Sequence, residues 1–178
     1  LPPRCVNNPI PPMSIFKASI NFLPSFTNSL SKACDYYLLA LASRACRGLS
    51  LEHCCMMIHT SRYTEVHDSY LPLIEGKWLK LILADLKDKK QSTFDRLQRL
   101  WEEEMKTLSE DQRSQLNCPT NYENFDEIKN HLLKEAESIN VLRENSNPEN
   151  EEDRLDFEKG RIHGIVIGGD VLSRGVTK

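Results

Sequence analysis

With 178 residues, 39% of them apolar and 28% charged, the chain has the size and composition of one globular domain able to bury a core, and not those of a disordered or fibrous protein. A formal net charge of −3 supplies no general basic field, so contact with nucleic acid would need a local basic patch. No run approaches the roughly 18 apolar residues of a membrane span, and Pro2, Pro3, Pro9, Pro11 and Pro12 oppose a signal helix, so a cytoplasmic protein with no membrane partner is expected.

The chain starts at Leu1 rather than methionine and reads as an excised piece of something longer. Residues 1–27 are rich in proline and asparagine and are expected to run extended over a surface. Regular structure is predicted from Asn28-Ser29, either of which can cap a helix. Leu30, Ala33, Cys34, Tyr37, Leu38, Leu41, Ala42 and Ala45 then fall on one continuous apolar stripe. Arg44 and Arg47 suit the end of that helix, and Gly48 can stop it in a left-handed conformation. Cys54-Cys55-Met56-Met57-Ile58 is an unbroken apolar run, short enough for a buried strand, and it delivers His59, Thr60, Ser61, Arg62 and Tyr63 to its carboxyl end.

From Thr64 a helical pattern runs through Val66, Tyr70, Leu73, Ile74, Trp78, Leu81 and Ile82, with Pro72 expected to kink or interrupt it. A second helix follows Ser92 through Phe94, Leu97, Trp101, Met105 and Leu108. Asn117-Cys118-Pro119 reads as a turn, and Asn124 can cap a third helix through Phe125, Ile128, Leu132 and Ala136. Residues 64–137 therefore form a helical block inserted between strands. Ile139-Asn140-Val141-Leu142 alternates as a further strand. An acidic loop, 144–154, follows, too polar to contribute to a core. Leu155 and Phe157 offer a short alternating segment before the last strand.

That last strand, Ile165 to Ile167, is nearly all apolar, as in a parallel sheet buried on both faces. It breaks at Gly168-Gly169, where missing side chains allow a ligand or another backbone to come close, and leads into Asp170, Ser173, Arg174, Gly175 and Thr177. Two predicted strands thus end in a small polar residue followed by arginine, Ser61-Arg62 and Ser173-Arg174. In a parallel sheet both loops lie on one edge, where open α/β sheets usually bind ligands. The expected fold class is α/β: a small, mainly parallel sheet flanked by helices, with a large helical insertion.

Other constellations have blander readings. Cys34, Cys46, Cys54 and Cys55 fall in predicted core elements, where free thiols sit, so a reduced, intracellular chain is expected. His53, Cys54, Cys55 and His59 invite a zinc site, but a strand puts neighbouring cysteines on opposite faces and no paired C-x-x-C spacing occurs, so no metal site is assigned. His163 reads as structural, and Trp78 and Trp101 as packing residues. Asp126-Glu127-Ile128-Lys129 holds the Glu-x-Lys of many metal-dependent nucleases, but on a helix rather than a strand. For Ser173-Arg174-Gly175 the alternative is a tight turn with a solvent-facing arginine.

Three segments carry a family resemblance. Leu23-Pro24, Leu30 to Ala33, Tyr36 to Ala40 and Arg44 to Gly48 look like its leading helix, and Met57 to Thr64 like its first strand and loop. Gly168-Gly169-Asp170-Val171-Leu172-Ser173-Arg174-Gly175-Val176-Thr177 is similar to its most specific motif, GG-x-x-LSRG-x-T. Together these resemble the Z-one domain, a family described as endonucleases and found mainly in bacterial DNA-processing and defence proteins.

The resemblance implies a relationship to the second RecA-like lobe of superfamily-two helicases, with His59 to Arg62 at motif IV and Gly168 to Thr177 at motif V. It implies phosphate binding, from nucleotide or DNA, by Ser173, Arg174 and Gly175, with Gly168, Gly169, Asp170, Thr177, Ser61 and Arg62 beside them. An arginine fork can hold a phosphate bidentately, and glycine leaves its N–H accessible. By the same resemblance the complete protein uses ATP and Mg, acts on DNA, and carries a first ATPase lobe in the same chain. Thr177 stands where helicase motif V often has an aspartate, which weakens any inference about ribose contacts. The family's later arginine-bearing motif lies beyond Lys178, and no G-x-x-x-x-G-K-[ST] loop occurs, so this piece alone is expected to be inactive with nothing bound. Two alternatives stay open: a metal-dependent endonuclease domain, and a non-catalytic interaction module.

Overall fold

Thr27 opens the first element of the computed structural model, which describes residues 24–59, 64–105, 110–115, 123–144 and 160–169. Its backbone is extended (φ −72°, ψ 157°), so its hydroxyl accepts the Leu30 N–H at 3.2 Å and α1 runs Asn28–Cys46. The cap is one residue earlier than Asn28-Ser29. Cys34, Tyr37, Leu38, Leu41 and Ala42 are buried on the expected stripe. Leu39 joins them because α1 packs against two later helices, whereas Ala33 is exposed. Gly48 ends the helix at φ 76°, and the N–H groups of Gly48 and Leu49 close back onto the Ala45 and Arg44 carbonyls.

Three strands, β1 (Cys54–His59), β2 (Asn140–Glu144) and β3 (His163–Gly168), form a parallel sheet in the order β1-β3-β2. The α/β class is as expected. Central β3 is buried along its whole length. β1 departs from the buried strand expected of its apolar run: it lies at the edge of the described sheet and is only partly covered, with Met57 50% exposed. Glu144 belongs to β2 rather than to the acidic loop, because the ladder continues to its partner Gly168. The rows Met56–Ile165–Val141 and Ile58–Ile167 join the core formed with the helices.

Between β1 and β2 the described residues are mostly helical, as the pattern implied. α2 (Thr64–Pro72) passes into a π-helical stretch, Leu73–Leu79, and then α3 (Lys80–Lys87). Pro72 therefore changes the kind of helix. It has no N–H for the α-helical bond, and the wider coil accommodates it, with the Lys80 N–H reaching the Glu75 carbonyl five residues back. α4 (Gln91–Met105) starts just ahead of Ser92, and α5 (Glu110–Gln115) is a short extra turn. α6 (Phe125–Glu137) begins at the expected cap: Asn124 Oδ1 accepts the Glu127 N–H at 2.9 Å, and Glu127 Oε2 accepts the Asn124 N–H at 3.0 Å.

Leu38, Leu41, Ile74, Ile82, Leu97, Ile128 and Leu132 fill the interior, each contributing roughly 1.5–3 kcal/mol by leaving water. Trp78 and Trp101 are buried packing residues. The Trp78 indole N–H donates to Asp35 at 3.0 Å, and Arg96 pairs with the other oxygen of that buried carboxylate. Burial raises the Asp35 pKa, and these two partners oppose the shift. Among the described residues no helix is long and apolar enough to cross a membrane. Residues 1–23, Leu108, the turn at 117–119, the acidic loop beyond Glu144, and Leu155 and Phe157 lie outside the described residues.

Candidate functional site

The parallel register sets the geometry of the carboxyl edge. His59 of β1 and Glu144 of β2 both pair with Gly168 of β3, so the three strands finish level. The chain leaves β1 and β3 from neighbouring strands, about 4.8 Å apart. Gly168 and Gly169 are buried. His59 is exposed at the same edge. Of the residues singled out in the sequence, Ser61, Arg62, Asp170, Ser173, Arg174, Gly175 and Thr177 lie outside the described residues.

One cation at this edge escaped the sequence reading. Arg143 stands in the row before the last, beside Ile167, and pairs with Asp68 of α2, which packs against β2 and β3. The apolar pattern marks a strand only as far as Leu142, and the alternation that puts Arg143 on the face of Val141 is the signal for it.

A second polar group lies at the amino edge of the sheet, among buried residues. His163 and Glu135 are 2% and 1% exposed. His163 Nδ1 is 3.3 Å from Glu135 Oε2 and 2.9 Å from Ser138 Oγ, while Nε2 faces the Glu52 carbonyl at 3.3 Å. Ser138 Oγ also donates to the Glu135 carbonyl at 2.7 Å. Serine, histidine and glutamate suggest a hydrolase, but the geometry does not fit one. In a nucleophilic triad the hydroxyl and the carboxylate occupy opposite ring nitrogens. Here both are on Nδ1. Burial, then Arg161, lowers the His163 pKa; Glu135 pulls the other way but is outweighed. The cluster ties the end of α6 to the start of β3, the structural role expected for His163.

Of the thiols expected in the core only Cys34 is fully buried; Cys46, Cys54 and Cys55 are partly exposed. Cys34, Cys46, Cys54 and Cys55 are free, and burial raises the pKa of each, that of Cys34 to about 12. Among the described residues no group of three or more His, Cys, Asp or Glu side chains could hold a metal ion. The Glu-x-Lys pair is engaged in structure: Glu127 completes the α6 capping box, and the Lys129 ammonium lies 4.5 Å from the centre of the Phe94 ring.

A family model described as the Z1 domain matches residues 29–178. No curated protein and no solved structure matches the chain.

Proposed function

The chain belongs to the Z1 domain family, and on that premise we propose that it is the phosphate-binding part of a helicase-like, ATP-dependent DNA-processing protein of the restriction or defence type. The observation that carries this reading is the level finish of β1 and β3. In sequence, Ser61-Arg62 and Ser173-Arg174 follow these strand ends, and the carboxyl edge of an open parallel sheet is where such folds usually bind ligands. Arg174 supplies the bidentate fork, and Ser173 and Gly175 supply a hydroxyl and an accessible backbone N–H. Gly168 and Gly169 keep the strand end free of side chains, and Asp170 and Thr177 belong to the same sequence motif. ATP with Mg, a first ATPase lobe and DNA complete the reaction in the whole protein.

The test is ATP hydrolysis by the complete parent protein, with and without DNA, comparing wild type with Arg174→Ala. DNA-stimulated turnover should fall at least about a hundredfold in the variant, as expected when a transition-state cation is removed. Turnover indifferent to both DNA and Arg174 would overturn the reading, and metal-dependent DNA cleavage should then be measured.

A further inference from the structure

We infer that Arg143 is a further phosphate-binding residue of the carboxyl edge, one that exchanges the Asp68 carboxylate for a phosphate group. The inference rests on the phosphate-binding reading of that edge and adds to it a cation from β2. In its row across the sheet, Ile58 and Ile167 join the hydrophobic core, and the third place is taken by the arginine. Side chains alternate along a strand, so Arg143 follows Val141 on the face whose earlier row is apolar. The next row, His59–Gly168–Glu144, is where the three strands finish. The position of Asp68 agrees: α2 begins at Thr64, shortly after β1 ends at His59, and Asp68 is in its second turn, about 6 Å further on. The pair stands where the apolar rows stop and the carboxyl edge starts.

The nature of the partner makes the exchange feasible. Arg47 and Arg96 are anchored by Glu123 and Asp35, carboxylates that are only 15% and 3% exposed, so an incoming anion cannot take their place. The Asp68 side chain is 47% exposed and that of Arg143 39%. Water reaches both, and an ion pair so placed is weak and readily screened. The planar fork of arginine fits two phosphate oxygens as well as it fits a carboxylate, so a phosphate at the edge can replace Asp68 on the same N–H groups. Asp68 keeps its charge beside that phosphate and opposes it. The two residues therefore act with opposite signs on one ligand. An ion pair that only braces α2 against the sheet would not do so.

The experiment uses the complete parent protein and two probes. A fluorescein-labelled oligothymidine read by anisotropy reports a backbone phosphate, and ATP read through the KM of its hydrolysis reports a nucleotide phosphate. The variants are Arg143→Ala and Asp68→Asn, with Arg174→Ala as the control for the edge itself. Arg143→Ala should weaken one of the probes at least about fivefold at about 50 mM salt. If that probe is the oligothymidine, the slope of log affinity against log salt should flatten by about 0.7, the value of one phosphate contact on a single strand. Asp68→Asn should strengthen the same probe at least about twofold, and both variants should melt within about 3 °C of wild type. Weakening by both variants, or an effect from neither, would overturn the inference; the edge reading would stand as long as Arg174→Ala still abolishes turnover. Silence from Arg174→Ala as well would overturn both.

Discussion

His163 shows what a single residue can reveal and conceal. Its position at the start of a buried strand was enough to assign it a structural role. Its partner Glu135 was not legible, because a glutamate next to Ala136 on an amphipathic helix is ordinarily solvated, and only tertiary packing buries it. Neither Glu135 carboxylate oxygen has a hydrogen-bond partner, which leaves the imidazole at 3.3 Å as its closest polar support. His163→Leu should therefore cost about 1–3 kcal/mol, since it leaves the buried Glu135 carboxyl and the Ser138 hydroxyl without the imidazole. The double variant with Glu135→Leu should recover part of that loss. Urea unfolding of the two single variants and the double one measures the coupling. A small loss for His163→Leu, fully additive with Glu135→Leu, would show that the two groups do not support one another.

Among the elements, those bounded by local chemistry were read well. Asn124 and Gly48 announce a helix start and a helix stop through short-range hydrogen bonds, and both stand where the sequence put them. β1 was read less well: its apolar run says strand but cannot say edge or centre, which depends on pairing across the chain. The π-helical stretch was hidden for a related reason, because a pattern such as Ile74, Trp78 and Ile82 suits either kind of helix. Gly48→Ala makes a sharp test at this scale. Open space surrounds the position, so its φ of 76° is the sole obstacle, and the cost should be about 1 kcal/mol in thermal unfolding. An unchanged melting temperature would mean that the end of α1 relaxes freely.

For the molecule as a whole, long-range polar ties couple the helical block to α1. Arg47 holds Glu123 with two hydrogen bonds, of 2.6 and 3.0 Å, and Ser43 adds a third of 3.2 Å. The Arg47 bond, against the opposing effect of burial, holds the Glu123 carboxyl below its ordinary 4.5. Because the folded value is the lower one, this stabilisation is fully present above about pH 4.5 and is lost as pH falls through the folded value. Melting curves taken down to about pH 3 should drop less steeply for Glu123→Gln than for wild type. Identical acid limbs would remove Glu123 from the account. At the same scale the sequence indicated a parallel sheet and a shared edge for the two arginine loops. The strand order was beyond it, since nothing in the spacing says that the third strand lies between the first two.

That order has a consequence for synthesis. The middle strand is the last of the three to leave the ribosome, and β1 must wait for a neighbour about a hundred residues downstream. Until then β1 and β2 have no ladder to join, and the run Cys54 to Ile58 presents unpaired backbone with apolar side chains. The nascent chain can assemble helices early but can join these strands only once β3 has emerged. A ribosome stalled before His163 would carry a sticky, half-built sheet, so the vulnerable interval in synthesis runs from the emergence of β1 to that of β3.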